Sequence, residues 1–158
     1  MSPIEELDTN ASQPVLPRIA WTGSEFGVAW NGGDIQLQLA DVGGTPIGGR
    51  SAIEANSDGL DMVHTGAAYA FISVDNDEVR FNLGTPGTFA DPSPVLHVGE
   101  NDLQYPAVRE TETGFFAAWA DENGRLVNTA VLDERGNLVG TPQPLVVPMM
   151  RERLDARP

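Results

Sequence analysis

The sequence contains one stretch twice, as PRIAWTGSEFGVAW at residues 17–30 and as PAVRETETGFFAAW at residues 106–119. The two stretches align without gaps, and their first prolines and last tryptophans are each 89 residues apart. This separation is about twice the period of 40 to 45 residues that is typical of four-stranded structural repeats. A third copy is therefore expected between the two.

The third copy is LDMVHTGAAYAFIS at residues 60–73. Tyr69 takes the aromatic position of Phe26 and Phe115, 43 residues after the first and 46 residues before the second. Both ends of this copy depart from the pattern, with Leu in place of Pro and Ser in place of Trp. The repeat is thus present three times, with a degenerate middle copy.

Each copy contains four short apolar segments separated by turn residues, a pattern that indicates a small antiparallel sheet. The sequence predicts an all-β fold with three four-stranded propeller-blade repeats in a single domain, at about residues 17–58, 59–105 and 106–148. Residues 2–7 resemble one more fourth strand, left over from a missing copy, and residues 149–158 are expected to form a tail.

The fourth strand of the first copy is predicted at Ala52–Ala55. Gly48 and Gly49 precede it and are interpreted as turn glycines, because no helix follows them that could present its N-terminus to a phosphate. The first copy is therefore expected to contain a long turn before its last strand.

A four-stranded unit repeated about every 45 residues is the sequence form of a β-propeller blade. The copies also resemble the propeller-like repeats of predicted secreted proteins of myxobacteria and related bacteria, with the pattern Pro-Ala-Val-Ala-aromatic-x-Gly-x-x-aromatic-x-Val-x-Trp-x-Asp. Residues 17–30 and 106–119 match this pattern closely, and Ala120 and Asp121 supply its ending. The resemblance covers about residues 14–148. It implies an extracellular or cell-envelope location and says little about activity.

Three blades are too few to close a ring, since propellers typically have about four to eight. An isolated chain would leave two apolar blade faces in water. The sequence therefore predicts a homodimer in which two chains complete a six-bladed ring. A fragment of a longer natural chain and an atypical packing of the repeats are the alternatives.

Composition excludes several classes of site and partner. The chain has no cysteine, which removes disulfides, thiolate nucleophiles and cysteine-based metal sites. Against 23 acidic residues stand nine basic ones, and the net charge of −14 disfavours nucleic acids and membrane surfaces as partners.

The two histidines, His64 and His97, lack catalytic or metal-binding spacing, and the acidic hairpin at residues 75–78 lacks the spacing of a calcium loop. We therefore expect no metal and no cofactor, and the first residues carry no recognisable secretory signal.

One repeat position carries three different chemistries: Trp21, His64 and Glu110 are equivalent in the three copies. Such a position is free of a common packing rule, so these residues, together with Arg109, are the candidate ligand-binding residues. The tryptophans that end the second strands are interpreted as packing residues. The predicted function is a non-enzymatic recognition or assembly module that binds a protein or glycan ligand.

Two other functions stay open. In a lectin-like sugar binder, Trp21 would stack on a sugar and neighbouring carboxylates would accept hydrogen bonds from its hydroxyls. A propeller glycosidase would need two or more carboxylates in one pocket, about 5 to 9.5 Å apart. The candidates for that role are Asp61, Glu110 and Glu112.

Overall fold

The computed structural model describes residues 15–55, 57–75, 77–90, 93–99, 103–121 and 126–145. Within these ranges the protein consists of strands and turns without a helix, so no helix there is long and apolar enough to cross a membrane. The extra strand predicted at residues 2–7 and the tail predicted at residues 149–158 lie outside the described residues.

Twelve strands in the described part of the chain form three four-stranded antiparallel sheets, one per repeat, each with its strands in chain order. The first sheet contains β1 Val15–Trp21, β2 Phe26–Asn31, β3 Asp34–Ala40 and β4 Pro46–Ala55. The second contains β5 Gly59–His64, β6 Tyr69–Asp75, β7 Glu78–Gly84 and β8 Val95–Val98. The third contains β9 Gln104–Thr111, β10 Gly114–Ala120, β11 Val127–Leu132 and β12 Gln143–Leu145. The prediction of three four-stranded antiparallel sheets is confirmed.

The turns between strands are stabilised by side chains at equivalent repeat positions. The hydroxyl of Thr22 accepts a hydrogen bond from the Glu25 N–H, and the hydroxyl of Thr65 accepts one from the Ala68 N–H, both at 3.1 Å. After β11, Asp133 Oδ1 accepts the N–H groups of residues 135 and 137. Short polar side chains that bind nearby backbone groups favour turns over continued strands. These residues therefore stabilise the turns that follow β1, β5 and β11.

The fourth strand of the first sheet is longer than predicted, because it begins at Pro46 rather than at Ala52. Gly48 and Gly49 lie inside it, so their interpretation as turn glycines is wrong. Gly48 has a φ of 67°, and the pairing of β3 with β4 shifts register beside it, between Leu37 and Leu39. A glycine with positive φ is typical of a β-bulge, which lets a strand continue past an extra residue.

The sheets stack face to face in chain order, and the second sheet is buried on both sides. Tyr69 and Phe71 of β6 pack on the first sheet, while the alternating residues Ala70 and Ile72 pack on the third. Every residue of β6 before Asp75 is buried. Two apolar clusters result, one at the first–second boundary and one at the second–third boundary.

The first strands of the three sheets, β1, β5 and β9, lie next to one another and form the inner side of the stack. Packing in the described residues runs from the first sheet to the second and from the second to the third, without forming a closed ring. The first and third sheets each keep an outer face that no described sheet covers.

Candidate functional site

The predicted site position lies at one end of the stack. Trp21, His64 and Glu110 stand at or near the last residues of the first strands, directly opposite Phe26, Tyr69 and Phe115 on the second strands. The turns that follow, at residues 22–25, 65–68 and 112–113, define what we call the turn end. All three pairs lie on the same side of their own sheets, the side that meets the preceding sheet wherever one exists. The His64 pair faces the first sheet, the Glu110 pair faces the second, and the Trp21 pair lies on the outer face of the first sheet.

Trp21 is the most accessible aromatic side chain of the three pairs, with 47% of its surface exposed. Its ring centroid lies 4.6 Å from that of Phe26, at an interplanar angle of 50°. This contact fixes the orientation of the indole while leaving much of it in water. An oriented, exposed indole can stack on an apolar or sugar surface.

His64 packs edge-on against Tyr69, with 4.8 Å between the ring centroids, and its Nδ1 accepts a hydrogen bond from the Gly66 N–H at 3.1 Å. Tyr69 is buried against Gly27, where even a β-carbon would overlap the tyrosine ring. Burial, together with the negative charge of Glu25, raises the pKa of Tyr69 to about 12. The imidazole therefore packs over a close contact between the first and second sheets.

Arg109 does not point to the turn end but binds Asp61, a buried carboxylate on β5. Asp61 Oδ2 accepts hydrogen bonds from the Arg109 guanidinium at 2.9 Å and from the Val108 N–H at 3.0 Å. Its Oδ1 accepts one from Arg18 of β1 at 3.2 Å. This inner clamp, formed by Arg18, Asp61 and Arg109, joins the first strands of all three sheets.

The inner clamp was missed by sequence reasoning, which considered Asp61 only as a candidate catalytic carboxylate. Arg18 and Asp61 occupy equivalent positions in consecutive copies and have opposite charges. Stacked repeats place equivalent residues side by side, so this change of sign was a usable signal for an ion pair. Both carboxylate oxygens of Asp61 are therefore occupied by partners on the neighbouring sheets, and its role in the described structure is to join them.

A cleft of about 370 Å³ opens at the turn end of the second–third boundary. Three glutamates of its wall, Glu110, Glu112 and Glu134, belong to the third sheet and its turns. Thr65 lies on the opposite wall, and Phe115 is at the base. Glu110 and Glu112 were predicted candidates, whereas Glu134 was missed because only the folded turn after β11 brings it to β9. Carboxylates and hydroxyls around a small apolar base suit a ligand with cationic or hydroxyl groups.

The second histidine lies away from the turn end. His97 of β8 stacks on Trp119 of β10 across the second–third boundary, with 5.4 Å between the ring centroids. Desolvation by burial lowers the pKa of His97. Trp119 is 1% exposed and belongs to the apolar cluster, in keeping with a packing role. In the part of the chain that the structure describes, no group of three or more histidine or acidic side chains is arranged to hold a metal ion.

The comparisons with known proteins give no further guide to this site. No protein-family model, no curated protein and no solved structure matches the chain. The assignment of function therefore depends on the turn end, the cleft and the two outer faces.

Proposed function

We propose that the protein is a non-enzymatic recognition and assembly module made of three propeller-type blades, and that the cleft at the turn end binds its ligand. The observation that carries this proposal is the lining of the cleft, where Glu110 meets Glu112 and Glu134; Trp21 and His64, which share the repeat position of Glu110, lie at the turn end but outside this lining. The three equivalent residues differ in chemistry, and of the aromatic residues paired with them Tyr69 and Phe115 are buried at the internal boundaries. Residues next to surface turns on a rigid scaffold commonly carry the binding function of a protein.

The charge of the cleft supports a ligand with positively charged or hydroxyl-bearing groups. Glu110, Glu112 and Glu134 line the cleft, and the whole chain carries a net charge of −14. This field raises the local concentration of cations and repels anions. A basic segment of a protein partner is the ligand class that fits best.

Of the three candidate catalytic carboxylates, Asp61 is held in the inner clamp, away from the cleft, whereas Glu110 and Glu112 line the cleft, where the proposal gives them a ligand-binding role. The extracellular or cell-envelope location also belongs to the proposal. Its support is the resemblance of the repeats to those of secreted bacterial proteins.

Binding to an array of basic peptides tests the proposal. We expect binding by the wild type, a loss of about tenfold or more in Glu110→Gln and Glu112→Gln, and little change in Glu25→Gln. Glu25 is the matched control, because it lies at the turn end but outside the cleft lining. Peptide binding that is indifferent to both cleft substitutions would contradict the assignment of the cleft.

The exposed Trp21 ring favours a second candidate, a lectin-like carbohydrate binder. In that case the sugar would stack on the indole, and nearby carboxylates would accept hydrogen bonds from its hydroxyls. A glycan array with wild type and Trp21→Ala separates the two functions. Glycan binding that disappears in Trp21→Ala would favour the lectin, whereas binding confined to basic peptides would exclude it.

A further inference from the structure

The outer face of the first sheet carries residues that are buried wherever a preceding sheet exists. Met62 of the second sheet and Val108 of the third are equivalent positions, and they are 6% and 0% exposed. The residue at the same position of the first sheet, Ile19, is 65% exposed. Trp30 on this face is already buried, so the accessible apolar surface lies around Ile19 and Trp21. The outer face of the first sheet therefore resembles one side of an internal sheet boundary from which the preceding sheet is missing.

The outer face of the third sheet carries residues whose equivalents are buried wherever a following sheet exists. Ala70 of the second sheet is fully buried by the sheet that follows it, whereas Phe116, at the equivalent position of the third sheet, is 43% exposed. Phe116 pairs across the strands with Val131, which is also exposed. Two neighbouring large apolar side chains in water indicate a surface that another element covers.

The two outer faces differ from each other. The outer face of the first sheet corresponds to the side on which a sheet meets the preceding sheet, and the outer face of the third sheet corresponds to the side on which a sheet meets the following one. At both internal boundaries the face that carries the second-strand aromatic, Tyr69 or Phe115, meets the face of the preceding sheet that carries Gly27 or Ala70. The first sheet offers its Phe26 face outward, and the third sheet offers its Phe116 face outward. A partner for each outer face is thus present on another copy of this chain.

We propose that two copies of this chain associate head to tail, with the outer face of the third sheet of each copy packed on the outer face of the first sheet of the other. Such a contact is heterologous, and two of them close a ring of six sheets. Six lies within the range of about four to eight blades in which propellers close, whereas three copies would give nine. The occupant of both faces is therefore a second copy.

The contact between copies differs from the internal boundaries in its spacing, because Phe116 is larger than the residues at the equivalent positions. The equivalent residues are small, and at Gly27 a β-carbon would already overlap the Tyr69 ring of the next sheet. The bulkier Phe116 excludes so close an approach. We expect the contact between copies to be wider than the internal boundaries and to be filled by Phe116 against Phe26, which is only partly buried in the single chain.

The net charge of −14 on each copy opposes association, because the two copies repel one another over a distance of about one Debye length. Added salt screens this repulsion and leaves the apolar contact in place. The dimer should therefore become tighter as the salt concentration rises, unlike a dimer held by ion pairs.

Sedimentation equilibrium of the full chain tests the proposal. The wild type should have twice the mass of the chain. Ile19→Asp and Phe116→Asp should each raise the dissociation constant by about tenfold or more. Val42→Asp is the matched control, because Val42 is 74% exposed in the turn after β3 and lies on neither outer face. Both substituted residues are exposed, so circular dichroism should show folded variants. A wild type that is monomeric at high micromolar concentration in high salt would overturn the proposal.

Mixing the two variants tests the head-to-tail geometry. Each variant keeps the face that the other has lost, so the mixture contains one undamaged contact and should associate more tightly than either variant alone. A symmetric contact between two copies of one face would leave one of the variants dimeric by itself, and that result would refute head-to-tail association. The same holds if mixing gives no gain. The cleft lies at the strand ends, whereas the contact between copies lies on the sheet faces. A failure of peptide binding therefore leaves the dimer proposal standing, and a failure to dimerise leaves the assignment of the cleft standing.

Discussion

Removing the carboxylate of Asp61 tests whether the inner clamp holds the three sheets together. In Asp61→Ala, the buried Val108 N–H loses its acceptor, which costs about 1 to 3 kcal/mol. The guanidinium groups of Arg18 and Arg109 are 37% and 71% exposed, so water replaces most of what they lose, and each adds about 1 kcal/mol at most. The expected loss in the free energy of unfolding is therefore about 3 kcal/mol.

Asp61→Asn separates the hydrogen bond from the charge. Its amide oxygen can still accept the Val108 N–H while the attraction to both arginines is reduced, so we expect a loss of about 1 kcal/mol. Urea unfolding at neutral pH measures both variants, with Asp58→Ala as an exposed control expected within about 0.5 kcal/mol of wild type. Equal losses in the Ala and Asn variants, or a loss below about 1 kcal/mol in Asp61→Ala, would refute the role of the clamp.

Three further predictions concern the two boundaries. Trp119→Ala should lower stability by about 3 to 5 kcal/mol in thermal unfolding, since the side chain fills the second–third cluster; an unchanged melting temperature would exclude a packing role. The folded pKa of Tyr69 is raised from 10 to about 12, so the unfolded chain loses the phenolic proton first and stability should fall as pH rises from about 10 towards 12. Tyr69→Phe should remove this alkaline loss without a penalty near neutral pH, because Oη has no hydrogen-bond partner among the described residues; a clear penalty would contradict this. Burial lowers the pKa of His97, so its contribution to the free energy of unfolding is complete above about pH 6.5 and is lost as the pH falls below that value. His97→Gln should reduce this loss of stability at acidic pH, measured as the urea midpoint against pH. An unchanged pH dependence in the variant would contradict the prediction.

The strands and their order could be predicted from the sequence because the signals for them are local. Turn residues recur at fixed places in each copy, and the aromatic positions Phe26, Tyr69 and Phe115 mark the second strands. Gly48 is the exception to this local prediction. The positive φ of Gly48 serves a bulge inside β4, and the sequence pattern of a bulge glycine is the same as that of a turn glycine.

The candidate site was less predictable, because it depends on which sheets become neighbours. The position of Trp21, His64 and Glu110 could be identified from the repeat alone. The contact of Arg109 with Asp61 could not, since it joins residues 48 positions apart on two different sheets. Glu134 reaches the cleft for a similar reason, through a turn whose path relative to β9 is set by packing at the second–third boundary.

The burial of the second sheet on both sides has a consequence for the motions of the protein. In a row of units that are stabilised by their neighbours, opening the central unit disrupts two boundaries, whereas opening a unit at either end disrupts one. Amide hydrogens of β6 should therefore exchange with solvent more slowly than those of β2 and β10. The fold combines a rigid centre with softer ends, and any unit that covers an outer face extends the slowly exchanging region to the sheet beneath it.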